Sequence, residues 1–168
     1  MFVYDTEVLP VYEHDGAVRA AVHALKYRGI SAVAPLMAAP MAELLGLWAP
    51  ALDVIVPVPL FGMRQRIRGY NQSELLAREI GRATGLRVET RALTRRRATP
   101  PQVRQLGLDD RVANMSGAFA AGRRPPDGKN VLLVDDVMTT GATLDACARV
   151  LQDAGSGRIF VLTYARED

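Results

Sequence analysis

Two adjacent carboxylates, Asp135 and Asp136, are followed by a small, hydroxyl-rich stretch, Thr139-Thr140-Gly141-Ala142-Thr143. Carboxylates accept hydrogen bonds and hold hard cations, so the pair suits sugar hydroxyls or a divalent metal ion. The stretch after them suits an anion. Its threonines carry hydroxyl donors, and Gly141 permits torsions that let the chain approach a phosphate closely. Phosphate, diol and metal in one place describe a ribose phosphate. The run before the pair, Val131-Leu132-Leu133-Val134, is short and apolar, as in a strand buried on both faces. Ala142–Leu151 is helix-prone, which makes 135–141 a strand-to-helix turn. Such a turn lies at the carboxyl end of a strand, where open α/β sheets bind ligands. The helix start adds free N–H groups and positive partial charge. Successive strand side chains point to opposite faces, so both aspartates serve one ligand only if the turn begins between them.

The elements that must position this stretch are legible on either side of it. Val8–Tyr12 is expected to be a short strand, and Gly16–Tyr27 a helix with apolar residues at Val18, Ala21, Val22 and Leu25. That puts Lys26 and Arg28 near the helix end, before Gly29. Val33–Trp48 is a second helical stretch, with Pro40 predicting a break or kink. Asp53–Val58 reads as a buried strand ended by Pro57 and Pro59. Asn71–Thr84 is an amphipathic helix that stops at Gly85, and Arg87–Leu93 a further strand. Arg95–Gly107 is an Arg-, Pro- and Gln-rich loop, Asp109–Asn114 a helical turn and Ser116–Ala120 a short strand. Strand, helix and strand (131–134, 142–153, 158–164) close the chain. The alternation predicts an α/β fold, a parallel-sheet core with helices on both faces.

The 168 residues suffice for one domain, and 49% apolar with 23% charged residues is ordinary for a soluble globular protein. The single cysteine, Cys147, excludes an internal disulfide and a multi-cysteine zinc site; its Ala-rich helix suggests a buried structural thiol. No apolar run reaches the ~18 residues of a membrane span, and no leader is visible, so a cytoplasmic protein without membrane insertion is the expectation. The net charge of +3 hides an asymmetry: Phe61–Arg124 holds fourteen arginines, no lysine and five acids, a surplus of +9. Arginine suits bidentate phosphate contacts. A solvated basic face, a phosphate-rich ligand, a nucleotide or a nucleic acid would each account for this belt. His14 and His23 lie outside every motif and are read as surface or packing residues.

Two rival readings of Val131–Thr143 are weaker. Four apolar residues and two aspartates also occur as the second motif of P-loop ATPases. The upstream loop that this requires is absent, because Gly122–Asn130 has the wrong spacing, two prolines and an Asn ending, and precedes a strand. An acidic turn that merely caps the last helix explains one acid, not the ordered set.

Val131–Thr143 resembles the phosphoribosyl pyrophosphate (PRPP) signature of type I phosphoribosyltransferases. "VIVPVPLFGMRQRIRGYNQSELLA" (Val54–Ala77), "RRATPPQVRQL" with "RVANMSGAF" (Arg96–Phe119) and "LKYRG" (Leu25–Gly29) resemble the ComF/GntX, competence-associated branch of that family. The resemblance covers about Gly16 to Tyr164. It implies a type I phosphoribosyltransferase fold in one domain, 1–168, with a small hood at 1–50 and a PRPP-binding core at 51–168. Asp135 and Asp136 would hold the ribose hydroxyls and act as the catalytic pair. Thr139, Thr140, Gly141, Ala142 and Thr143 would bind the 5′-phosphate. Val58, Pro59 and Leu60 would form the pyrophosphate loop after Pro57. Arg64, Arg66 and Arg68 would neutralise pyrophosphate, although on a helix alternating residues would not share a face. Arg95, Arg96, Arg97, Thr99 and Gln102 would belong to a loop that closes over the site. Mg²⁺ is the implied cofactor, held through PRPP, with Asp135 and Asp136 reaching it through water. Tyr70-Asn71-Gln72 is either a helix entry capped by Asn71 or a ligand contact. Single-stranded DNA, competence-machinery proteins and a second copy of the chain are candidate partners. Relatives commonly begin with a four-cysteine zinc ribbon that this sequence lacks, as in a ribbon-less variant or a trimmed chain. Phe61 stands where relatives often carry His. The function implied is a PRPP-binding, Mg²⁺-dependent phosphoribosyltransferase-like protein linked to DNA uptake. The alternative is a DNA-binding accessory protein, its PRPP binding regulatory or vestigial.

Overall fold

The structure, a computed structural model, describes residues 6–13, 15–27, 30–48, 51–97 and 117–167. The chain runs through β1 (Thr6–Glu13), α1 (Gly16–Tyr27), a 3-10 turn (Ser31–Val33), α2 (Ala34–Trp48), β2 (Val54–Pro57), α3 (Gly62–Arg68), α4 (Gln72–Thr84), β3 (Arg87–Val88), β4 (Leu93–Arg95), β5 (Phe119–Ala121), β6 (Val131–Met138), α5 (Ala142–Asp153) and β7 (Ile159–Arg166). Five strands form one parallel sheet in the order β1-β7-β6-β2-β3, and β4 and β5 pair as a separate antiparallel ribbon.

The central strands are apolar because both faces are covered. On one face Leu132, Val134, Ile55 and Leu162 meet Leu25 of α1, Met37 and Met41 of α2, and Leu76 and Ile80 of α4. On the other Val131, Leu133, Val54 and Val161 meet Leu144, Cys147, Ala148 and Leu151 of α5, with Leu93 and Phe119 of the ribbon. Helices on both faces of a parallel sheet is the architecture that the sequence pattern predicts. The stretch expected to act as a hood, 1–50, contributes the edge strand β1, paired to β7, and α2, which packs on the sheet. At the amino edge Asn130 ties three segments together: its N–H donates to Asp53, its amide to the Ala51 carbonyl, and its side-chain oxygen accepts from Arg158 N.

Several local expectations are corrected. Helix α2 runs unbroken through Pro40. The N–H that proline lacks would have met the carbonyl of Leu36, and Leu36 sits on the solvent side at 76% exposure, where water can replace that bond. The strand expected over Arg87–Leu93 is two elements, because after the Glu89 N–H to Ile55 bond the Glu89 carboxylate accepts the N–H of Arg91 and turns the chain. The strand expected at Ser116–Ala120 is β5, Phe119–Ala121, which runs antiparallel to β4 and lies outside the main sheet. The strand expected to end at Val134 continues to Met138, because β7 pairs alongside it to Arg166. The turn before α5 is correspondingly short and begins after both aspartates. Asp109–Asn114 lies outside the described residues.

Candidate functional site

Strand order singles out one crevice. From β2 the chain crosses by α3 and α4 to β3 on one side, and from β6 by α5 to β7 on the other. Between β2 and β6 the direction of winding reverses, and the loops leaving their carboxyl ends diverge. Open α/β sheets bind ligands at such a switch point. The two loops that border it are Pro57–Leu60 and Thr139–Thr143, the ones that the sequence singled out.

Gly141 opens α5 at φ 76, a left-handed conformation that costs a residue with a Cβ about 1–2 kcal/mol. No side chain caps the helix there, which leaves its first N–H groups to the crevice. Thr140, Ala142 and Thr143 are partly buried and Thr139 is exposed. Across the crevice Val58 is buried, and its N–H donates to Val134 O at 2.9 Å, extending the β2–β6 ladder by one bond. Its carbonyl accepts from the Asn71 side-chain amide at 2.9 Å. Asn71 also caps α4, its side-chain oxygen accepting the Ser73 N–H at 3.1 Å. One asparagine therefore fixes both the loop after β2 and the start of α4. Tyr70-Asn71-Gln72 forms the helix entry: Tyr70 donates to the Leu25 carbonyl of α1, and Gln72 accepts from Arg68.

Because the turn begins after Met138, the aspartates go to different partners. Oδ1 of Asp135 accepts from the Ser73 hydroxyl at 2.7 Å and from the Asp136 N–H at 2.9 Å. Asp136 is buried; one oxygen accepts the Val137 N–H, and the other meets the Lys26 ammonium of α1 at 2.9 Å. Burial, then the charge of Asp136, pushes the Asp135 carboxyl up to about 7, against the Ser73 hydrogen bond and the Lys26 charge, which favour ionisation. Cys147 is buried behind the site, where the thiol is pushed up by burial and the nearby Asp135 charge; it is a packing residue.

The arginines divide. Arg66 is exposed on α3, while Arg68 turns toward Gln72 at 2.6 Å; alternate residues of a helix do not share a face. Arg64 lies on the same short helix. Arg78 and Arg82 pair with Glu74 and Glu79 inside α4, and Arg87 with Glu89. Arg95, expected in a closing loop, belongs to β4 and lies over the Phe119 ring at 5.1 Å, because the antiparallel pairing places those residues opposite each other. Arg96 and Arg97 follow it as exposed residues, and Arg96 N–H donates to Ala118 O. Thr99 and Gln102 lie outside the described residues, as do Arg104, Arg111 and His14. His23 is exposed on α1. At the other end of the ribbon Arg124 N–H donates to Arg91 O, gathering Arg91, Arg123 and Arg124 on the surface.

Lys26 and Ser73 are the residues at the site that sequence reasoning did not assign. Ser73 carried a signal: with Leu76, Ala77 and Ile80 it falls on the buried stripe of α4, a lone hydroxyl among apolar residues. Lys26 carried only its place near a helix end.

The family model of the phosphoribosyl transferase domain matches residues 29–167. Competence protein F of Haemophilus influenzae is 37% identical over 116 residues, 68% of this chain and 50% of that protein. The matched region thus spans half the length of that relative. DNA utilization protein YhgH of Salmonella typhimurium is 31% identical over 166 residues, 95% of this chain and 71% of that protein. A solved structure described as the allosteric regulatory enzyme of purine biosynthesis superposes with a TM-score of 0.52 at 24% identity, over 77% of this chain and 25% of that one, a likeness of fold alone. Among the described residues no helix is long and apolar enough to cross a membrane.

Proposed function

The chain belongs to the phosphoribosyl transferase domain family, in the branch of competence protein F and the YhgH proteins and with the type I fold, and from that premise we propose that its β2–β6 crevice binds PRPP. The observation that carries this reading is the pairing, at the switch point, of an uncapped α5 N-terminus with the Asp135 carboxylate. The first suits the 5′-phosphate and the second the ribose hydroxyls.

Each part of the crevice then has work to do. Thr139–Thr143 receives the 5′-phosphate through hydroxyls and helix N–H groups. Asp135, held by Ser73 on one oxygen, offers the other to the ribose. Asp136 is held by Lys26, so it orients α1 over the site more than it meets the sugar. The Pro57–Leu60 loop, pinned by Asn71, faces the pyrophosphate.

Among the described residues no group of three His, Cys, Asp or Glu side chains is placed to hold a metal ion. The Asp135 carboxylate beside a phosphate site still fits Mg²⁺, which keeps most of its waters and binds chiefly through substrate phosphates. Asp135 would hold its waters, whereas Asp136, expected to do the same, is buried on Lys26, and the ion would neutralise the pyrophosphate charge. The protein's own share is to stabilise that leaving charge and to keep water away from C1 of the ribose. Transfer to an acceptor is the activity that this arrangement serves.

A second reading draws on the ribbon arginines, Arg91, Arg96, Arg97, Arg123 and Arg124, and on relatives named for competence and DNA utilization. In it the chain is a DNA-handling accessory protein whose basic surface meets single-stranded DNA, with PRPP as a regulatory ligand. Thermal melting with and without millimolar PRPP and Mg²⁺ tests the first reading. Stabilisation that Asp135→Asn/Asp136→Asn abolishes supports it, and an unmoved melting curve for the wild-type protein rejects it.

A further inference from the structure

Three buried side-chain atoms among the described residues accept or donate no hydrogen bond: Asp136 Oδ2, Ser156 Oγ and Thr163 Oγ1. The first is answered by the Lys26 ammonium. The second lies in the turn before β7, at the edge away from the crevice. Thr163 is different. It is fully buried (0% exposed) in β7, and in the parallel register it stands directly beside Asp135 of β6, with Pro10 of β1 on its other side. In-register neighbours of paired strands send their side chains to the same face, with strands about 5 Å apart. The Thr163 hydroxyl and the Asp135 carboxylate are therefore adjacent.

An orphaned buried hydroxyl is costly, and valine would fill the same volume without the cost. The four residues before it, Ile159–Leu162, are all apolar. The hydroxyl therefore has a task that burial and packing do not supply. Its neighbour has a vacancy of the right kind. Both donors to Asp135, Ser73 Oγ and the Asp136 N–H, meet Oδ1, and no described residue donates to Oδ2. Each carboxylate oxygen accepts two hydrogen bonds.

We propose that Thr163 is a positioning residue for Asp135: by rotation about its Cα–Cβ bond its hydroxyl donates to Oδ2 from the sheet side when a ribose hydroxyl donates from the crevice side. The carboxylate is then fully satisfied while ionised and cannot turn away from the sugar. This rests on the reading of the crevice as the PRPP site.

The test uses Thr163→Val and Thr163→Ser in the whole chain, with the melting temperature of the ligand-free protein and the Kd for PRPP with Mg²⁺ by titration calorimetry. Thr163→Val is expected to melt at or above the wild-type temperature yet bind PRPP about tenfold more weakly, the size of one hydrogen bond to a charged group. Thr163→Ser, which keeps the hydroxyl, is expected to restore wild-type affinity. A valine variant that binds like wild type, a serine variant that binds like the valine one, or a ligand-free melting temperature that falls with valine each overturns the proposal. Wild-type protein that does not bind PRPP overturns the underlying reading instead, and shows it before any variant is compared.

Discussion

Replacing Asp135 by asparagine separates the stability of this fold from its ligand chemistry. Both hydrogen bonds that Asp135 receives go to one oxygen, so an asparagine with its carbonyl in that place keeps the Ser73 and Asp136 donors and loses only the charge. In the folded protein the Asp135 carboxyl is raised from 3.8 to about 7, by burial first and by Asp136 second. Between those values the folded state holds a proton that the unfolded chain releases. Stability contributed by this group is thus present below about pH 4 and falls as pH rises through about 7. The span of roughly three pH units sets a ceiling of about 4 kcal/mol, at about 1.4 kcal/mol per unit. Partial solvent exposure of the carboxylate lowers this to about 2 kcal/mol. For a chain of this length that is a melting temperature about 5 °C higher for Asp135→Asn at pH 8, with the two proteins converging near pH 4. The assay is a pair of melting curves at several pH values, without ligand. The same variant is expected to lose the stabilisation by PRPP and Mg²⁺. A ligand-free variant less stable than wild type at pH 8, or a difference independent of pH, would refute the reasoning that this carboxylate is held in place at the expense of the fold.

Lys26→Met leaves the buried Asp136 carboxylate without its cation and is expected to destabilise the protein by about 3 kcal/mol by urea unfolding, with Lys26→Met/Asp136→Asn recovering part of the loss. Asn71→Ala removes a helix cap and orphans the Val58 carbonyl; a loss of about 2–3 kcal/mol and weaker PRPP binding are expected together, and unchanged binding would show that the Pro57–Leu60 loop holds itself. Gly81→Ala would bring a Cβ to 2.8 Å from Val88 Cγ2 and 2.9 Å from Leu86 O, so a loss of about 1–3 kcal/mol is expected in spite of alanine's better helix propensity. Single-stranded DNA binding, followed by fluorescence anisotropy, is expected to be weak and to fall steeply with salt, and Arg95→Ala/Arg96→Ala/Arg97→Ala to weaken it further; binding that survives high salt would remove the basic ribbon as its cause.

What the sequence made legible was what local periodicity and end signals encode. Gly16–Tyr27 is a helix over the expected residues, and the helix expected at Asn71–Thr84 begins one residue later with Asn71 as its cap, because each carries an apolar stripe and its stop or cap in its own sequence. The loops around the crevice were legible for the same reason: prolines after β2, and threonines with a glycine after β6. The length of β6 was not. Nothing in Asp135–Met138 marks a strand, and those residues are extended only because β7 lies alongside them, a partner twenty-eight positions away at every step. That non-local pairing decides the chemistry of the site. Had the strand ended at Val134, a flexible turn would have carried both carboxylates toward one ligand. With the strand continued to Met138, each carboxylate has a fixed address: Asp136 on Lys26 of α1, and Asp135 between Ser73 of α4 and Thr163 of β7. The two-aspartate motif is therefore divided between two places in the fold. One acid pairs with α1 through Lys26, and the other keeps an oxygen to which no described residue donates, its carboxyl raised to about 7 by burial and by Asp136.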